Sequence, residues 1–213
     1  FATTQNNPHH IYTVGEHIIY CLEQVGADKA LRIAALLHDI GKPAAKTTDE
    51  QGIDHFYQHE EIGMQMAEQI LKRLKFDNDT LNKVKRYIQF HDYDCDPTPR
   101  AVRRAIHKIG EAYFAQVLEL KRADTLAQSL YQREEKLDRI SQVEEIYQEI
   151  LEQNQCISLK TMQISGDDLL AIGIPAGRQI GRILQALLED VLENPEHNNY
   201  PYLLEAAKQQ KFL

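Results

Sequence analysis

A chain of 213 residues with a formal net charge of -8 is long enough to bury one full hydrophobic core, or one core with a helical extension. The acidic balance excludes a protein whose whole surface is a nucleic-acid glove, so an anionic ligand has to be met locally, by a metal ion or a few Lys and Arg side chains. Three widely separated cysteines, Cys21, Cys95 and Cys156, with no C-x-x-C pair, no apolar run near about 18 residues and no charged-then-apolar leader, lead us to expect a cytoplasmic protein without a membrane span.

In chain order, apolar residues recur at helical spacing almost throughout, and no strand alternation bounded by tight-turn pairs interrupts them, so the fold is predicted to be all-α. The first helix runs from about Tyr12 to Gln24 and carries His17. The Gly26-Ala27-Asp28 turn supplies an N-cap for an apolar second helix through Leu31, Ala34, Ala35, Leu36 and Leu37 that closes at Gly41, ahead of Pro43. From Lys42 to Gln58 the composition turns polar and reads as a loop. A third helix carries His59, Gly63, Met66, Ile70 and Leu74, and a fourth ends in Tyr87-Ile88-Gln89-Phe90-His91-Asp92. Pro97-Thr98-Pro99 then opens a helix bearing Arg100, Arg103 and Arg104.

The helix from about Glu111 to Ser129 has Phe114, Val117, Leu118, Leu120 and Leu126 as its buried stripe, with Asp124 inside it. From Tyr131 to Gln153 the chain continues as an amphipathic helix with a mostly solvated, structural role. The Gly-containing segment from Ser165 to Pro175 feeds a helix from near Ala176 to Leu192, and Asp167 and Asp168 read as helix N-terminal caps and dipole partners. Two parts are expected: residues 1–130 holding the candidate site, and 131–213 as a helical extension packed on it.

The sharpest chemical feature is His38-Asp39 at the end of an apolar helix. Two ionisable residues where a core helix closes must be paired, hydrogen-bonded or bound to metal. Neighbours on a helix diverge by about 100°, so they converge on one ion only near a helix end and with donors from other helices. His17, His59, His91 and Asp124 each fall on a separate helix, as a metal site in a bundle core requires. A mixed imidazole and carboxylate set suits Mn, Fe, Co, Ni or Zn better than an all-oxygen Mg or Ca cage, although Mg stays among the candidates. His10 stands seven residues before His17 and reaches the site if the first helix extends that far back, whereas His55, His107 and His197 read as solvated or capping residues.

His17, the His38-Asp39 pair and Asp124 resemble the H…HD…D pattern of the HD superfamily of metal-dependent phosphohydrolases, and His59 with His91 extend it to the longer H…HD…H…H…D form. The resemblance implies an HD-domain helical bundle in which His17, His38, Asp39 and Asp124 bind one divalent ion. It further implies that Asp39 bridges to a second ion held by His59 and His91, and that Lys42 faces the phosphate. A finer resemblance spans nearly the whole chain: Gln5-Asn6-Asn7-Pro8-His9-His10, the run from Tyr12 to His17, Phe56-Tyr57-Gln58-His59-Glu60 and the region from Gly166 to Gly181 are similar to the carboxy-terminal, HD-containing part of bacterial CCA-adding tRNA nucleotidyltransferases. Nothing in the chain resembles that family's G-S followed by D-x-D polymerase motif, so nucleotide addition is not expected of this stretch.

The activity these resemblances imply is hydrolysis of a nucleotide or RNA-end phosphate ester, foremost a 2′,3′-cyclic phosphate or a phosphomonoester, by metal-activated water, with tRNA as a possible partner. Asp39 and Lys42 are the candidate catalytic residues. Arg100, Arg103 and Arg104 are candidate phosphate contacts, with salt bridges to the surplus acids as the equal alternative. The rival readings are a non-catalytic tRNA- or RNA-binding carboxy-terminal module, and a phosphodiesterase for cyclic dinucleotides or dinucleoside polyphosphates. A weaker anion site is conceivable where Gly173 to Arg178 leads into a helix carrying Arg182.

Overall fold

The computed structural model describes residues 2–209. Their regular structure is helical apart from one hairpin of two two-residue strands, as the periodicity predicted. In chain order the elements are α1 (Val14–Gln24), α2 (Lys29–Leu37), α3 (Lys42–Ala45), β1 (Thr47–Thr48), β2 (Asp54–His55), α4 (His59–Arg73) and α5 (Asn78–Phe90). They continue with α6 (Pro99–Ile109), α7 (Glu111–Ala127), α8 (Arg133–Glu152), α9 (Gly166–Ala171), α10 (Arg178–Glu193) and α11 (Tyr200–Lys208). Close packing divides the chain into two units: the chain up to Cys95 together with Ile109–Glu144, and Asp96–Lys108 together with the chain from Glu145 on.

In the first unit α1 packs on α7, while α2 and α4 flank α5. α1 starts at Val14 rather than Tyr12 because Thr13 closes a capping box: its hydroxyl accepts from the Glu16 N–H at 3.3 Å, and the Glu16 carboxylate accepts from the Thr13 N–H at 2.9 Å. That start turns Val14, His17, Ile18 and Cys21 to the core. α2 ends at Leu37, and a tight turn carries the chain through Gly41 into α3. At Gly41 the backbones almost touch: a methyl group there would stand 2.1 Å from the His59 carbonyl oxygen and 2.6 Å from the Gly63 nitrogen. This approach brings the end of α2 against the start of α4.

The polar stretch expected as a loop is ordered by one carboxylate. Asp54 accepts from Asn6 N–H and Thr48 Oγ1, each at 2.7 Å, and pairs with Lys46 Nζ at 2.7 Å, fixing the antiparallel register Thr47↔His55 and Thr48↔Asp54. Strands of two residues carry no alternation for a sequence reading to detect. α8 is the amphipathic helix expected from the sequence. It buries Ile140, Val143, Tyr147 and Ile150, a stripe at spacings of three and four outnumbered by the surrounding Glu and Lys.

The second unit has its own core, in which Leu169 of α9, Leu187 and Leu188 of α10 and Leu203 of α11 are fully buried. Ser165 and Asp168 form a capping box on α9, so the Asp168 part of the expected cap is the one observed, as partner to Ser165. α11 was not anticipated; it is a nine-residue helix capped by Asn199, whose side chain accepts from Tyr202 N–H at 3.0 Å. No described helix is long and apolar enough to cross a membrane.

Candidate metal centre

Six ligand-type side chains converge inside the first unit, each delivered by a helix end or a helix face. His17 comes from α1, His38 and Asp39 from the turn after α2, His59 from the first position of α4, His91 from the C-cap of α5 and Asp124 from the last turn of α7. Gln58, in a left-handed conformation (φ 60°), sets the entry of the chain into α4. All six are buried; His17 and His38 are 0 % exposed and Asp39 1 %.

The four imidazoles are oriented by the same device. His38 Nδ1 donates to Ala35 O at 2.8 Å, His59 Nδ1 to Phe56 O at 2.9 Å and His91 Nδ1 to Ile88 O at 2.7 Å, each three residues back. His17 Nδ1 reaches the carbonyl of Ala127, at the end of α7, at 3.3 Å. With the proton held at Nδ1, each Nε2 presents a lone pair, and these lone pairs face one another: His17 and His38 Nε2 are 3.3 Å apart, as are His59 and His91 Nε2. Two acceptors at that distance need a shared proton or a metal cation between them.

The donor separations, from 2.8 to 3.8 Å, bracket those of a metal site. Two donors about 2.1 Å from one ion and roughly 90–110° apart stand about 3.0–3.4 Å from each other. Around His17 Nε2 the spacings are 2.8 Å to Asp124 Oδ1 and 3.3 Å to Asp39 Oδ2, and His38 Nε2 stands 3.4 Å from Asp39 Oδ2. On the other side of the carboxylate, Asp39 Oδ1 lies 3.4 Å from His59 Nε2 and 3.8 Å from His91 Nε2. Asp39 therefore belongs to two donor clusters, one per oxygen, and neither oxygen accepts a hydrogen bond of normal geometry. Lys42 Nζ, 2.6 Å from Oδ2, supplies one positive charge to this buried carboxylate, and Oδ1 faces the imidazoles of His59 and His91.

Where no metal is bound, the two carboxylates favour a proton on the His38 imidazole, which would compete with a metal ion for the same nitrogen. Burial works against charge on His38, but Asp39 and Asp124 outweigh it and push its pKa up to about 10. Burial also opposes ionisation of Asp39 and Asp124, yet the facing imidazoles, with Lys42 beside Asp39, hold both carboxyls well below the usual range. His91 is pushed down to about 4, first by burial and then by the charge on His38.

Lys42, expected to face a phosphate, is 5 % exposed, and its Nζ stands 2.6 Å from Asp39 Oδ2 and 3.0 Å from Gln5 Oε1. His10 reaches the site through the N-terminal segment, not along α1: its Nε2 is 3.4 Å from Lys42 Nζ and its ring meets that of His17 edge-on. Burial, then Lys42 and His17, drive its pKa down to about 3. A cavity of about 560 Å³ opens onto Asp39, Lys42, His59 and His91. Asp92, next to His91 in the chain, lies on its wall.

The arginines are spent elsewhere. Arg103, in the second unit, donates to Leu192 O at 2.8 Å, Glu193 O at 3.1 Å and Gln155 Oε1 at 3.0 Å. Arg100 and Arg104 pair with the Glu193 carboxylate. These are the salt bridges to surplus acids weighed from the sequence. His107, His197 and His55 bond Ile157 O, Asp190 and Asp49 respectively.

Two residues at the centre went unnoticed in the sequence. Gln128 Nε2 donates to Asp124 Oδ2 at 2.9 Å, leaving Oδ1 for the cluster, and Lys136 Nζ in turn donates to Gln128 Oε1 at 2.7 Å. Gln128 follows Asp124 by four residues, a spacing that brings helix side chains together, and this was the signal available. Gln5 entered only as part of a family-like run.

Comparison with known proteins adds the following. The family described as tRNA nucleotidyltransferase domain 2, putative, matches residues 45–207. The A-adding tRNA nucleotidyltransferase of Deinococcus radiodurans is 28% identical over 193 residues, covering 87% of this chain and 44% of that protein. The CC-adding tRNA nucleotidyltransferase of Thermus thermophilus is 31% identical over 160 residues, covering 74% of this chain and 35% of that protein. The chain thus spans less than half the length of each of these relatives. No solved structure matches it.

Proposed function

The chain belongs to the tRNA nucleotidyltransferase domain 2 family, and on that premise we propose that it is a tRNA-directed helical module of a nucleotidyltransferase-type enzyme. The family match over residues 45–207 carries this reading, supported by two relatives named for adding A and CC to tRNA. Nucleotide addition itself is not assigned to this stretch, whose sequence has no counterpart of the polymerase motif.

A second reading is favoured by one observation, the buried Asp39 carboxylate shared by two donor clusters. It is that the module carries an HD-type divalent-metal centre that hydrolyses a phosphate ester of a nucleotide or an RNA end. His17, His38, Asp39 and Asp124 would hold one ion, and Asp39, His59 and His91 a second. Such ions supply a water of lowered pKa and a Lewis acid for phosphoryl oxygens. The chain's own contribution is positional. Backbone carbonyls fix the four imidazoles, Gln128 orients Asp124, and Gln5 holds Lys42 where its ammonium can meet a phosphoryl oxygen.

One experiment separates the readings. Metal-stripped protein is restored with Mn, Ni, Co, Zn, Fe or Mg and assayed on 2′,3′-cyclic AMP and mononucleotides, and tRNA binding is measured in parallel, each with Asp39→Ala alongside. Metal-restored turnover that disappears in the variant supports the hydrolase. Tight tRNA binding that survives both EDTA and the variant, without turnover, leaves the module with a structural metal. Turnover that persists in Asp39→Ala removes the metal mechanism, and absence of tRNA affinity removes the module reading.

A further inference from the structure

We propose that the His55–Tyr57 ring pair is a stacking platform for a nucleobase whose phosphate lies at the metal centre, so that the site takes a nucleotide or RNA end in preference to a base-free phosphate ester. The inference rests on the phosphoester reading of the same site.

The two rings are almost parallel, with an interplanar angle of 5° and centroids 5.4 Å apart. That separation is typical of offset stacking. His55 ends β2 and Tyr57 lies in the turn that leads into α4, so the chain folds one ring over the other. The pair is tethered: His55 Nε2 lies 2.9 Å from Asp49 Oδ2, and Tyr57 OH lies 3.4 Å from His55 Nδ1. Tyr57 is nevertheless 73% exposed. An aromatic ring held in place yet left in water gains little for folding, whereas it offers a ready face to another flat ring.

Its position gives that face a use. His55 and Tyr57 line the same cavity of about 560 Å³ whose floor carries Asp39, Lys42, His59 and His91. This volume falls within the roughly 300–1,000 Å³ range of small-molecule sites. A phosphate held at Asp39 and Lys42 needs only part of the space. The same lining includes Ile53, Phe56 and the tethered ring pair beside the polar Asn7, Gln58 and Glu60, which together offer a base an aromatic face and a sugar hydrogen-bonding groups. Base–aromatic stacking tolerates any base, because every base has a π face.

The chain has no tryptophan, so Tyr57→Trp provides a single fluorescent reporter at the platform. Manganese-loaded protein is titrated with adenosine 5′-monophosphate, triadenylate and ribose 5-phosphate. The expected result is quenching by a base-bearing ligand and none by ribose 5-phosphate. Tyr57→Ala should weaken the base-bearing ligand by about tenfold or more while leaving ribose 5-phosphate affinity unchanged. Quenching by the mononucleotide alone assigns a free nucleotide, and quenching by triadenylate alone assigns an RNA end. No quenching by either, or equal losses for all three ligands in Tyr57→Ala, overturns the platform. Metal-stripped protein distinguishes the underlying reading: base-dependent quenching that survives stripping keeps the platform and removes the metal from phosphate recognition. Manganese-dependent binding of all three ligands without quenching keeps the metal centre and removes the platform.

Discussion

Lys42 Nζ lies 2.6 Å from Asp39 Oδ2, the oxygen that also faces His17 and His38. A lysine cation therefore stands against the carboxylate oxygen that the first donor cluster requires. We predict that Lys42→Met binds manganese more tightly, by roughly tenfold or about 1.4 kcal/mol, because a competing charge is gone. Isothermal titration calorimetry of the two proteins decides it. Weaker binding in the variant would mean that Lys42 preorganises Asp39 instead of competing for it.

Asp39 is common to both clusters, whereas His59 and His91 serve one. Titrations of manganese should accordingly give two sites in the native protein, one in His59→Ala and none in Asp39→Ala. Two sites remaining in Asp39→Ala would refute the bridging role. Saturating metal should also raise the unfolding free energy of the native protein, by about 2.7 kcal/mol at a hundred times Kd, and leave Asp39→Ala unchanged.

Gly41 has φ -76°, which any residue adopts, so its constraint is the neighbouring backbone alone. A Cβ would fall 2.1 Å from His59 O and 2.6 Å from Gly63 N, neither of which can swing away as a side chain does. Gly41→Ala should cost about 3 kcal/mol in chemical denaturation, at the upper end of overpacking effects, and should weaken the second metal site by displacing His59. A loss under about 0.5 kcal/mol would show that the turn yields.

Asp54 has a folded pKa lowered to about 2 from an ordinary 3.8, chiefly by Lys46, with the Asn6 N–H and Thr48 hydroxyl adding to it. A depressed carboxyl contributes stability that is complete above its unfolded pKa and lost as pH falls through the folded value. The Asn6–Asp54 contact should thus be intact at pH 5 and release between about pH 4 and pH 2. The Asn6 amide resonance followed by NMR should titrate near the lower limit. A midpoint close to 4 would mean that the carboxylate is not held as described.

The sequence made the helices visible because their apolar stripes are long, and it made the buried His and Asp cluster visible because charge at the end of an apolar helix, as at His38-Asp39, has few structural uses. What it hid was short or made by backbone. The β1–β2 hairpin depends on one carboxylate, Asp54, and the imidazole orientations depend on carbonyls of Ala35, Phe56, Ile88 and Ala127, which no residue type signals. Arg103 shows the converse limit. Its place beside Arg100 and Arg104 suggests a basic face, yet it is 4% exposed and spent on the carbonyls that end α10.

The N-terminal segment ties the hairpin to the end of α7. Asn6 O accepts from Asp54 N–H at 2.9 Å, Pro8 O accepts from Ser129 Oγ at 2.6 Å across 121 residues, and His9 O accepts from Ser129 N–H at 2.8 Å. During synthesis, residues 5–10 leave the ribosome well before Ser129 exists, and closing so large a loop has to wait for the helices that shorten it. We therefore expect the mouth of the cavity to take shape late in the folding of the first unit. In refolding followed by pulsed hydrogen exchange, the Ser129 amide should gain protection after those of α1, α2 and α5, so that a newly made chain assembles its donors before it finishes the doorway that leads to them.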